Sequence, residues 1–152
     1  TPANTFGIYT NISNKVNTVG AGLGLEYALP KGFRASGNIA YNDISNNDAN
    51  VLTQFNTPKV KFNLSVANYT IAKRYGFNLT YRWQESYTYE SSFVSGTTPA
   101  FGTLDGQISM KIPRVHGTVK IGATNMLNKY YVDAIGNARI GGLYYVALGY
   151  NL

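Results

Sequence analysis

From Asn17 to Leu29 the chain alternates strictly. Val19, Ala21, Leu23, Leu25, Tyr27 and Leu29 fall on one parity, and Gly20, Gly22, Gly24 and Glu26 on the other. A period of two places successive side chains on opposite faces of a β-strand. The pattern returns over Phe33–Asn42, Lys59–Tyr69, Tyr75–Glu85, Thr103–Ile112, Val115–Thr124 and Gly142–Leu152, and more weakly over Thr5–Ile12. Eight strands are therefore expected, with no helix beyond a turn or two in the loops. Each strand has one apolar parity: Phe62, Leu64 and Val66 stand opposite Lys61, Asn63 and Ser65, and Phe77, Leu79, Tyr81 and Trp83 opposite Asn78, Thr80 and Arg82.

The connections alternate in length. Pro30-Lys-Gly32, Thr70–Arg74 and Pro113-Arg114 are short turns, whereas Ile44–Thr57, Ser86–Phe101 and Asn125–Gly141 are long loops. Short turns on one side and long loops on the other are the habit of outer membrane barrels, and strands of about 9–11 residues suffice to cross a bilayer at a tilt. Aromatic residues fall near both strand ends. Tyr27, Phe33, Tyr75, Phe77 and Tyr150 lie toward the short turns, and Tyr9, Tyr41, Tyr81, Trp83 and Tyr144 toward the long loops. Two such belts suit the two membrane interfaces. The last strand carries Tyr144, Val146, Leu148, Tyr150 and Leu152 on one face. In a soluble sheet that edge would recruit other chains, whereas a closed barrel pairs the edge and covers the face with lipid.

The fold expected is thus all-β, an antiparallel transmembrane β-barrel with eight strands in this chain, residues 1–152 forming one unit. Leu23, Leu25, Leu64, Leu79, Ile108, Val119 and Leu148 are expected to face lipid, and Glu26, Arg34, Lys61, Arg82, Asp105, Lys111 and Lys120 the lumen. A soluble sandwich, such as a carbohydrate-binding module, is the competing class.

Composition changes this picture little. Mean hydropathy is −0.16, and no run reaches the ~18–20 apolar residues of a membrane helix, but strands escape such scans because every second residue may be polar. The net charge of +6 is polarised. Lys31, Arg34, Lys59, Lys61, Lys73, Arg74, Lys111 and Arg114 are expected beside the short turns, whereas Asp43, Asp48, Glu85, Glu90 and Asp133 lie in or beside long loops. The aromatics alternate within strands rather than flanking a basic groove, so nucleic acid is not an expected partner. Cys is absent and His116 is the single His, which leaves a poor set of metal ligands. No nucleophile–base order, phosphate loop or usefully spaced carboxylate pair is present, so no enzyme activity, cofactor or metal is expected.

Gly122-Ala-Thr-Asn-Met-Leu-Asn-Lys-Tyr-Tyr131, Gly136-Asn-Ala-Arg-Ile-Gly-Gly142 and the final strand together resemble the carboxyl end of TonB-dependent outer membrane receptors, with a Bacteroidota flavour. Thr103-Leu-Asp-Gly-Gln-Ile-Ser-Met-Lys-Ile112 is similar to the strand before. The resemblance implies a 22-stranded barrel around an amino-terminal plug, driven through TonB to import scarce nutrients across the bacterial outer membrane. It covers the last eight strands. The remaining strands and plug of the same receptor are then partners, alongside outer membrane lipid, the barrel-assembly machinery and a surface lipoprotein. The strand 144–152 would be the assembly signal. Tyr87, Tyr89, Phe93, Tyr130, Tyr131 and Arg139 in the long loops are the candidate ligand contacts. The alternative is a free-standing eight-stranded barrel with a structural, anchoring or assembly role. The excess of lumen cations, with Arg82 and Lys120 hardest to place in a tight interior, favours a slice of a wide barrel. The chain is expected not to be the whole functional unit.

Overall fold

The computed structural model describes residues 15–46 and 52–150. Strands β1 (Val16–Ala28), β2 (Phe33–Asn46), β3 (Val60–Ile71) and β4 (Tyr75–Gln84) are followed by a small hairpin, β5 (Tyr87–Glu90) and β6 (Ser95–Thr98). Strands β7 (Phe101–Ile112), β8 (Gly117–Thr124) and β9 (Leu143–Tyr150) complete the order. The long strands form one seven-stranded antiparallel sheet in which each pairs with the next, β1-β2-β3-β4-β7-β8-β9, and β5 pairs only with β6. Among the described residues β1 and β9 are the two edges, and no α-helix occurs. The run Thr5–Ile12 lies outside the described residues, as do Tyr9 and Leu152.

Register explains why the alternation matters. Leu23 lies opposite Ile39, Ile39 opposite Phe62, and Phe62 opposite Trp83. Farther along, Phe77 meets Ile108, Ile108 meets Ile121, and Ile121 meets Val146. The other parity is equally consistent: Glu26, Ser36, Ser65, Thr80 and Asp105 form one row. A slip of one residue at any ladder would mix the faces, so the two-residue period fixes all six pairings at once.

The polar face is knitted across strands. Asn63 Nδ2 donates to Asn38 Oδ1 (2.9 Å), the Ser65 and Thr80 hydroxyls lie 2.7 Å apart, and Tyr145 donates to Gln107 Oε1 (3.0 Å). The apolar face stands open. Leu23 is 61% exposed and Leu148 81%, and the buried hydrophobic residues among those described are Ala67 and Ala123. Aromatics gather toward the two ends of this face. Phe33 meets Phe77 edge-on near the short turns (6.1 Å), and Phe62 stacks on Trp83 near the long loops (5.4 Å).

Asn68, 1% exposed, joins two of the short turns. Its Nδ2 donates to Lys31 O (3.0 Å), and its Oδ1 accepts from Thr70 N (2.9 Å) and the Thr70 hydroxyl (3.2 Å). Gly32 beside it has φ +79°, and a Cβ there would lie 2.5 Å from Thr70 Oγ1, so both conformation and space require glycine.

The boundaries differ from the sequence expectation in several places: β3 runs on to Ile71 and β7 begins already at Phe101. Residues 86–101, expected as open loop, contain β5 and β6, because Tyr87-Thr-Tyr-Glu90 alternates with strong β-formers and Ser91 closes a tight turn at its end. Strand β2 runs on to Asn46. Val115 belongs to a turn of 3-10 helix begun by Pro113, and β8 starts only after His116, whose φ of 47° reverses the chain.

Candidate binding site at the long-loop end

The three long connections pack on one another. Glu90 Oε2 accepts hydrogen bonds from the Thr53 amide (3.1 Å), the Thr53 hydroxyl (3.1 Å) and the Gln54 amide (3.3 Å). Asn56 bonds the Glu90 backbone twice, donating to its O (2.9 Å) and accepting from its N (2.7 Å). The first loop is thereby strapped to the hairpin, and the Tyr87 hydroxyl donates to Asp133 O in the third.

The third loop is folded around two asparagines in left-handed conformation, Asn125 (φ 47°) and Asn128 (φ 50°). Asn125 is buried. It donates to Lys129 O (2.9 Å) and accepts from Lys129 N (3.2 Å), while Asn128 Oδ1 accepts from Gly142 N (2.8 Å). A Cβ on Gly142 would lie 2.8 Å from Asn125 O, so the Gly141-Gly142 pair lets the chain return over its own turn.

Beneath the loops the polar face opens into a cavity of about 280 Å³. Lys61, Asn63, Arg82 and Gln84 project from β3 and β4, and Thr103 and Asp105 from β7. One wall is aromatic: Phe101 stacks on Tyr131 with centroids 4.0 Å apart and planes 23° apart. Tyr131 is fixed by paired backbone bonds to Ile140 (3.2 and 2.8 Å). Burial raises its phenol above the ordinary value of 10.0, helped by Asp133 and Asp105 and opposed by Arg82. Arg82 Nε lies 2.8 Å from Asp105 Oδ2, and Asp105 Oδ1 accepts from Asn125 N at 2.8 Å, so both carboxylate oxygens are occupied. On the far side of the stack a second cavity, about 340 Å³, is bordered by Phe101, Lys129, Tyr130, Tyr131 and Arg139.

Tyr130, Tyr131 and Arg139 of the expected ligand set meet at that outer cavity. Tyr87 and Tyr89 lie half-buried on β5, and Phe93 stands 98% exposed at the hairpin tip. Sequence reasoning kept the loop aromatics apart from the lumen cations. The structure joins them through Phe101, the last residue of the second expected long loop, which belongs to β7; the period-two run Phe101-Gly-Thr-Leu-Asp105 is the signal for it. Arg82 pairs with Asp105, which answers the difficulty of placing its charge, and Arg34 lies 3.5 Å from Glu26. Lys61, Lys111 and Lys120 occupy the same face without a carboxylate within ion-pair distance among the described residues. Lys59 and Lys61, expected beside a short turn, lie instead at the long-loop end, because β3 begins there after the first long loop; Lys59 is 3.2 Å from Asp43.

Leu23, Leu25, Leu64, Leu79, Ile108, Val119 and Leu148 all lie on the apolar face, where Tyr144, Val146 and Tyr150 line β9. No group of three or more His, Cys, Asp or Glu side chains that could hold a metal occurs among the described residues, and no helix there is long and apolar enough to cross a membrane. Neither a family model nor a curated protein matches the chain.

Proposed function

We propose that this chain is the carboxyl-terminal β-barrel portion of a TonB-dependent receptor of the bacterial outer membrane, with the long loops outside and the polar face toward the lumen. The observation that carries the membrane part is the open apolar face. Burying an aliphatic side chain is worth about 1.5–3 kcal/mol. Leu23, Leu25, Leu64, Ile108, Ile121, Val146 and Leu148, each more than half exposed, forgo on the order of 10 kcal/mol if left in water. That is comparable with the whole stability of an ordinary domain, about 5–15 kcal/mol. Hydrocarbon resolves the deficit, and closure with further strands pairs the edges of β1 and β9. The alternation of short turns with long loops supports the same orientation.

Trp83 is the single tryptophan and lies on the apolar face against Phe62. Its fluorescence in vesicles should be quenched strongly by lipids brominated on the acyl chain. Absence of quenching, with the protein remaining in buffer after detergent partition, would move the chain to the soluble sandwiches.

The receptor part rests on the resemblance of the segment Gly122–Gly142 and on a ligand-sized cavity under the loops. One observation favours the second reading, a self-closed eight-stranded barrel. The pairs Arg82–Asp105 and Arg34–Glu26 remove two cations from the charge that a narrow interior would have to hold. The intact mass of the native polypeptide separates the two. A species several times larger than 16.6 kDa supports the receptor, and one of that size removes the transport claim.

A further inference from the structure

We infer that the inner cavity is an anion subsite with an aromatic wall, built for a ligand that carries a carboxylate or similar oxyanion directly beside a ring. The inference rests on the reading of the long-loop end as the ligand side and goes beyond it by naming the ligand's chemistry.

Lys61 pairs with Gln84 and Asn63 with Arg82 in the β3–β4 ladder. Lys61 and Arg82 are therefore diagonal neighbours on one face, roughly 7–8 Å apart at the backbone, within reach of a common group for two long side chains. Arg82 spends its Nε on Asp105, and its side chain is still 60% exposed, which leaves the terminal guanidinium nitrogens as donors. Asp105 does not repel an incoming anion as a free carboxylate would, because Arg82 and the Asn125 amide hold both its oxygens. The local balance of Lys61, Arg82 and Asp105 is one net positive charge, and Gln84 adds an uncharged donor. Phe101 and Tyr131 stand on the same cavity as a rigid stacked pair. An aromatic face takes the flat of a ring, whether a sugar or an arene. Lys111 and Lys120 lie on the same face but line neither cavity, so a merely solvated lumen charge would treat all three lysines alike.

An acidic sugar and an aromatic acid share this chemistry, and the probes distinguish them. The native protein that carries this chain is extracted in detergent micelles and titrated, with calorimetric readout, against glucuronate and benzoate. Their methyl esters and acetate, an anion without a ring, serve as controls. At least one ring acid should bind about tenfold or more tightly than its ester and than acetate, since a charge-assisted bond is worth that much. The tighter of the two identifies the source. Lys61→Gln should abolish the preference for acid over ester, Lys61→Arg should retain it, and Lys120→Gln should leave it unchanged. Tyr131→Leu should weaken both acid and ester. Heat-modifiable migration on gels and Trp83 quenching report separately that each variant is folded and inserted, so loss of the barrel is not confused with loss of the subsite. Equal affinity for acid and ester, no binding of either acid to the folded chain, or equal loss in the Lys61→Gln and Lys120→Gln variants would overturn the inference.

Discussion

Asn68 shows how much one polar side chain can hold. It is buried, and its amide ties the first short turn to the second through Lys31 and Thr70. Removing one partner from a buried, satisfied set costs about 1–3 kcal/mol, because the groups left behind stay dehydrated. Asn68→Ala should lose that amount in urea unfolding from detergent or lipid. Asn78→Ala, which gives up a 3.2 Å bond to Tyr69 and a 3.1 Å bond accepted from the Thr80 hydroxyl at a half-buried position, should lose less, because water can reach the groups left behind. Equal losses would mean that the turns are not coupled through Asn68. Nothing in the local sequence around Asn68 distinguishes it from Asn63 or Asn78, because its importance comes from where β2 begins. Asn125 and Asn128 were legible only as parts of a motif. Their left-handed backbone and their bonds to Lys129 and Gly142 give that motif a structural meaning as the clasp of the third loop.

At the scale of elements, alternation located all seven long strands. Leu23, Leu25 and Tyr27 against Gly22, Gly24 and Glu26 are enough to define β1, since no other regular structure has a period of two. Short elements were harder. Four residues of β5 hold only two alternations, and their pairing with β6 depends on the Ser91 turn and on the Glu90 anchor to Thr53, Gln54 and Asn56. The cavity was illegible for a related reason: Lys61, Arg82, Phe101 and Tyr131 are far apart in sequence and converge only through register and loop packing. Two outcomes belong here. Leu64→Arg or Ile121→Arg should destabilise by roughly 2–4 kcal/mol if mid-strand positions meet lipid, and the matched change Ser109→Arg on the opposite face should cost far less. Equal sensitivity of the two faces would contradict the assignment of lumen and lipid sides. Glu90→Ala should free the Thr53 and Gln54 amides to exchange with solvent while the strand amides stay protected; unchanged protection would mean that the strap is dispensable.

At the scale of the whole molecule, the two ends differ in what holds them together. The short-turn end is fastened chiefly by uncharged bonds, as at Asn68, beside one long and exposed ion pair, Arg34–Glu26. The long-loop end adds ionisable pairs, and two of its groups titrate above their ordinary values. Lys59 lies 3.2 Å from Asp43, which raises its pKa above 10.5 through the hydrogen bond first and the charge second. Tyr131 is raised above 10.0, chiefly by burial. The two shifts act in the same direction for different reasons. A raised lysine contributes stability that is whole below the unfolded value near 10.5 and is lost as pH climbs through the folded one. A raised tyrosine keeps a proton in the folded state that the unfolded chain has released, so each step above about 10.0 favours the unfolded form. Alkali should therefore loosen the long-loop end first. Between about pH 9 and 12, limited proteolysis should begin in the long loops while the strands remain resistant. The Lys59–Asp43 pair is exposed to solvent, so added salt should mute its share, whereas the Tyr131 share should vanish in Tyr131→Phe, which cannot ionise. Cleavage that starts at the short turns, or that proceeds identically in Tyr131→Phe at high salt, would show that these groups do not govern the opening of the loops.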